Sequence, residues 1–142
     1  MRRFLVLMAI LLSVSTASAF AEKAVVIVHA KNTADLSEMD IKRIYMGAVT
    51  QWPNGNRIAV YNLPVDHPAR ETFARKILGM SAQEFERDLN NRKITNTETN
   101  PQRTKDDTLV PSAVESNANA IGYIPSAVAA NVKNARVVLT VE

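Results

Sequence analysis

The strongest limit on this fold is an unbroken apolar run, Ala24-Val25-Val26-Ile27-Val28, almost entirely β-branched. A run without alternation predicts a strand with both faces buried, so the sheet it joins must be covered on each side. The chain downstream supplies the covers. Ser37, with Asp40 three residues on, reads as a capping box; Ile41, Ile44 and Tyr45 share one helical face, and Gly47 is the stop. Trp52-Pro53-Asn54-Gly55-Asn56 is a turn that leads into a second strand from Arg57 to Tyr61. Pro68 suits the first position of another helix, whose buried stripe is Phe73, Ala74, Ile77 and Leu78 and which ends at Gly79. Ser81 with Glu84 opens a third helix that buries Phe85 and Leu89.

Residues 93–108 are polar, rich in Thr and Asn, and contain Pro101, which predicts an extended loop. Such a loop is either a functional segment or plain surface chain. A short helix near Pro111 to Asn119, a strand-like turn over Ala120 to Ile124, one helical turn from Pro125 and a closing strand from Arg136 to Val141 follow. Strands separated by helices predict an α/β fold with a largely parallel or mixed sheet flanked by helices.

The N-terminus has a separate logic. Arg2 and Arg3 precede the apolar stretch Phe4 to Leu12, and Ala17-Ser18-Ala19 supplies small residues at a cleavage position, the pattern of a secretory signal peptide. Cleavage is expected after Ala19, or after Ala21 by the same small-residue rule. The nine apolar residues are too few to cross a bilayer, which takes about 20. The expected product is a soluble, unanchored periplasmic or secreted domain of residues 22–142. The chain has no cysteine, which excludes a lipoprotein anchor and disulfide staples. Removing two arginines from 17 basic residues leaves 15 against 14 acidic ones, a near-neutral domain. With no basic run and no aromatic residues interleaved with Lys or Arg, nucleic acid is not an expected partner.

Catalytic motifs are missing. There is no Gly-x-Ser-x-Gly elbow, no His-Glu-x-x-His and no phosphate-cradling glycine loop among only four glycines, so the sequence reads as a non-enzyme without a cofactor. His29, His67 and Asp66 carry metal-ligating atoms, but two histidines without ligand spacing do not make a metal site.

Several short motifs carry a family resemblance in matching order: Ile44-Tyr45-Met46-Gly47 to Gln51-Trp52, Ile58-Ala59-Val60-Tyr61-Asn62-Leu63-Pro64, Arg70 to Phe73, and Ala120-Ile121-Gly122-Tyr123-Ile124. From about Val25 to Pro125 the chain resembles the phosphate ABC transporter substrate-binding proteins, of the type 2 periplasmic-binding-protein fold, in a short form with a single lobe. The resemblance implies one α/β lobe, a small oxyanion ligand with phosphate first, and a place in phosphate uptake or sensing beside an envelope permease. In that family the strand leads into an Arg-x-Asp-Gly-Ser-Gly-Thr turn that clasps the anion. Here Asn62 stands at the arginine position, the Ser-Gly-Thr set is absent, and Pro68 removes an amide donor.

Anion-binding ingredients remain, because a helix N-terminus presents unpaired amides and Arg70 on its first turn adds a forked donor. Arg70, His67, Asn62 and Thr72 are the expected anion-binding residues, and His29, Asn32, Trp52 and Tyr123 are candidates to line a cleft. The competing reading has Asp66 or His67 merely capping the helix, Arg70 as a surface arginine paired with Glu71 or another surface acid, and Trp52 and Tyr123 packing in the core or a turn. A rival function follows: an interaction module that keeps the lobe but docks on an envelope protein or on its own copy, forming a homodimer.

Overall fold

The computed structural model describes residues 22–94, 102–103 and 108–142; the expected signal peptide and most of the expected 93–108 loop lie outside the described residues. Five strands form one mixed sheet in the order β3-β2-β4-β1-β5. They are β1 (Ala24–His29), β2 (Ala59–Asn62), β3 (Gln102–Arg103), β4 (Ala120–Pro125) and β5 (Ala135–Val141). Every residue of β1 is buried, as its unbroken apolar run requires. β1 runs antiparallel to both neighbours, with Val26 opposite Tyr123 of β4 and Leu139 of β5. β2 runs parallel to β4 and to β3, with Val60 opposite Ile121 and Tyr61 opposite Gln102.

Two sequence expectations are corrected. Ala120 to Ile124 is no turn but the core of β4, the middle strand, buried throughout. Its glycine weakened the strand signal, and the structure supplies the reason for it: a Cβ on Gly122 would sit 2.5 Å from Val110 Cγ1. The segment from Lys93 onward is not all loop either, because the third helix continues to Ile94 and Gln102–Arg103 pairs with β2.

The helices are α1 (Glu38–Tyr45), α2 (Pro68–Phe73), α3 (Ala82–Ile94) and α4 (Leu109–Ser116). A π-helical turn, Ala74–Leu78, extends α2, and a 3-10 helix, Ser126–Asn131, follows β4. The capping box of α1 forms as spaced: Asp40 N donates to Ser37 Oγ at 3.1 Å and Ser37 N to Asp40 Oδ2 at 2.9 Å. Those Ser37 backbone and side-chain bonds hold the Asp40 carboxyl below its ordinary value. Gly79 ends the π-helical turn at φ +72°, a left-handed conformation that favours glycine.

Successive strand residues face opposite sides. Gly122 points at Val110 and Val114 of α4, whereas Tyr123 points to the other layer. There its ring stacks on Phe73 of α2 at 4.0 Å between centroids and lies 5.8 Å from Tyr45 of α1. The sheet is thus sandwiched between α4 and the α1–α2 side. No helix among the described residues is long and apolar enough to cross a membrane.

Candidate functional site

Because β1 is antiparallel to β4, the sequence-derived candidates separate to opposite ends of the sheet. His29 ends β1 where β2 and β4 begin, as the pairs Val28 to Ile121 and Ala59 to Ala120 show. Asn62 ends β2 at the other end, and His67 and Arg70 follow it. Open α/β sheets bind ligands beyond the carboxyl ends of their parallel strands, which here is the Asn62 end. His29, expected among the cleft-lining candidates, therefore lies at the end of the sheet opposite Asn62, His67 and Arg70. His29 and His67 do not converge, and no metal-competent cluster of three His, Cys, Asp or Glu exists among the described residues.

At the His29 end, polar side chains mostly hold local backbone. His29 Nδ1 accepts from Lys31 N at 3.0 Å, and its Nε2 is 3.0 Å from Asn134 Nδ2. Asn32 Oδ1 accepts from Ala34 N at 2.9 Å. Trp52 is buried and donates Nε1–H to Asn119 O at 2.9 Å, tying the turn before β2 to the start of β4. An open groove of about 300 Å³ runs between Asn32 and the Trp52–Asn56 turn.

At the Asn62 end, the sequence builds a buried polar network. Asn62 Oδ1 accepts from the Tyr123 hydroxyl, which in turn accepts from Leu63 N at 3.3 Å. Burial pushes the Tyr123 hydroxyl well above its ordinary range, against the opposing pull of the Arg70 charge. Tyr45 is raised in the same way, chiefly by burial, and donates to Tyr61 O at 2.8 Å.

The start of α2 is closed by the chain itself. His67 is its N-cap, accepting from Ala69 N through Nδ1 at 3.1 Å. The carbonyl of His67 accepts from Arg70 N at 3.0 Å and from Glu71 N at 3.3 Å, and Pro68 has no N–H. No early amide is left to face an anion. Thr72 is buried, and its hydroxyl donates back to Pro68 O at 3.3 Å.

Arg70 is turned inward, only 1% exposed. Its NH1 donates to Leu63 O at 2.9 Å, its NH2 meets Glu86 Oε2 at 2.7 Å, and its guanidinium lies 5.5 Å from the centre of the Phe85 ring. Its Nε has no hydrogen-bond partner among the described residues. The acid paired with Arg70 is Glu86, on α3, rather than the nearby Glu71. Glu71 pairs with Arg75 and accepts from Ala82 N at 2.9 Å. Outside this network, the surface depression beside His67 is lined by Asp66, Glu71 and Glu84 against Arg75, an excess of negative charge.

Glu86 and Tyr45 are the network members that sequence reasoning did not assign. One signal was present for Arg70: with Phe73, Ala74 and Ile77 it occupies positions i, i+3, i+4 and i+7, the buried stripe itself. An arginine on that stripe requires an internal acid or carbonyl.

No family model matches the sequence, and no curated protein does. Solved structures do match. A Clostridium perfringens protein, assigned as a phosphate ABC transporter substrate-binding protein and crystallised with bound phosphate, aligns at TM-score 0.56 and 22% identity, over 82% of this chain and 53% of its own. An ABC-type phosphate transport receptor from Vibrio cholerae aligns at TM-score 0.62 and 17% identity, over 82% and 45%. PstS from Borrelia burgdorferi aligns at 0.60 and 16%, over 82% and 46%. The likeness shows the fold: a mixed α/β lobe of the kind found in phosphate-binding receptors. The chain spans about half the length of these structures.

Proposed function

We propose that this chain is an exported, non-enzymatic, single-lobe domain of the periplasmic-binding-protein kind that works by docking on an envelope protein, not by capturing free oxyanion. One observation carries the reading. The residue best suited to hold an anion, Arg70, spends its terminal nitrogens on Leu63 O and Glu86 inside the fold, beside a helix start whose amides are already bonded. The leader pattern supports export, and exposed Val65, in the turn after β2, adds an apolar contact at the same end of the sheet.

A second reading is favoured by the likeness to phosphate receptors: phosphate held by Arg70, His67, Asn62 and Thr72, and delivered to a permease. Thermal unfolding of residues 22–142 with phosphate or sulfate separates the two. A ligand at about 100 times its Kd adds about 2.7 kcal/mol, a rise of several degrees in a domain of this size. The docking reading expects no phosphate-specific rise, and a discrete adduct with an envelope protein when a photocrosslinker replaces Val65. A phosphate-specific rise that disappears in Arg70→Met would overturn it.

A further inference from the structure

We propose that the Glu86 carboxylate is an intramolecular ligand filling a latent oxyanion site around Arg70, and that removing it opens the site to small free carboxylates and oxyanions. The inference rests on the reading above, in which Arg70 is closed to free anions, and names the group that closes it.

A guanidinium stays charged at any accessible pH, so Arg70 at 1% exposure needs an anion beside it. Glu86 is the carboxylate in ion-pair contact with it, at 2.7 Å. That carboxylate comes from another helix and its side chain is 17% exposed, so truncating it connects the guanidinium to solvent without dismantling the sheet. The fit of Glu86 is incomplete in an informative way. Nε and NH2 form one edge of the guanidinium fork, which a planar oxyanion spans with two parallel bonds. Glu86 Oε2 takes NH2, while buried Nε has no hydrogen-bond partner among the described residues. A free planar anion can satisfy both nitrogens. It does not compete in the native protein, because a carboxylate on the same chain acts at an effective concentration on the order of millimolar or more.

The test uses the secreted protein carrying Glu86→Ala, with formate as the probe and chloride at equal ionic strength as the reference. Formate should raise the midpoint of thermal unfolding of Glu86→Ala saturably by several degrees. It should do so neither in the wild type nor in the double variant Arg70→Met/Glu86→Ala. An equal response in wild type or double variant marks a general salt effect and overturns the proposal, as does no response in Glu86→Ala. Should Glu86→Ala be unfolded in chloride, it is refolded with an osmolyte and formate binding is read by calorimetry. Saturable heat absent from the double variant supports the site, and its absence from Glu86→Ala refutes it. Phosphate stabilising the wild type would instead sink the docking reading, so the two failures are distinguishable.

Discussion

Replacing Gly122 with alanine tests how closely α4 is seated on the sheet. The added Cβ would lie 2.5 Å from Val110 Cγ1, with Val114 Cγ2 at 3.5 Å and Tyr61 Cβ at 3.6 Å. Carbon atoms in contact prefer about 3.5–4.0 Å, so Val110 must retreat by about 1 Å. Val110 is fully buried, and a β-branched side chain in a helix has one strongly preferred rotamer, so the retreat falls on α4 itself. Overpacking of this kind costs about 1–3 kcal/mol. Lower backbone entropy of the unfolded alanine chain returns about 0.4–1 kcal/mol. The expected net loss is about 1–2 kcal/mol, read as a lower urea midpoint. The single tryptophan, Trp52, is buried and bonded to Asn119 just before β4, so its fluorescence reports on this region. In a Val110→Ala background the clash partner is gone, and Gly122→Ala should become neutral or stabilising, a coupling above about 0.5 kcal/mol. A neutral Gly122→Ala in the wild-type background, or an equal loss in both backgrounds, would refute the close-approach reasoning.

Tyr45 and Tyr123 both hold their protons more tightly in the fold than their ordinary value of 10.0 allows. Their contribution is complete below that value; as pH rises past it the unfolded chain releases protons first, so stability falls by about 1.4 kcal/mol per pH unit for each tyrosine. Tyr45→Phe should remove one such increment from the slope, measured by urea midpoints across the alkaline range; an unchanged slope would contradict the burial argument. Ser37→Ala removes the N-cap of α1 and should cost about 1 kcal/mol. The same change leaves the backbone N–H of residue 37 on Asp40 Oδ2 and removes only the hydroxyl's bond, so the Asp40 carboxyl should titrate part of the way back towards its ordinary value, followed by NMR; an unmoved carboxyl would show that the hydroxyl contributes nothing.

Features set within a few residues were legible in the sequence. The Ser37–Asp40 box, the helix start at Pro68 and the fully buried β1 each depend on neighbours along the chain, and each forms as spaced. β4 was obscured by Gly122, whose purpose lies on α4, and β3 has only two residues whose pairing with β2 is non-local. Alternating strands and helices establish an order of elements but not the direction of each strand. The antiparallel setting of β1 was therefore invisible, and it carries His29 away from His67.

Candidate chemistry had the same limit in sharper form. A helix start and an arginine are anion-binding parts only while their donors are open, and openness is decided by what the fold brings to them. His67 occupies the amide of Ala69 from two residues away, which local reading offered as an alternative. Glu86 reaches Arg70 from 16 residues away, on a helix whose legible face was Phe85 and Leu89. The helical phase of Arg70 held a signal that the local reading passed over when it took Arg70 for an anion donor or a surface arginine: Arg70 shares the stripe of Phe73, Ala74 and Ile77, and a permanent charge does not enter a core alone. Which carboxylate answers it depends on the packing of α3 against α2, and that packing is what separates an open anion site from one the protein fills with its own side chain.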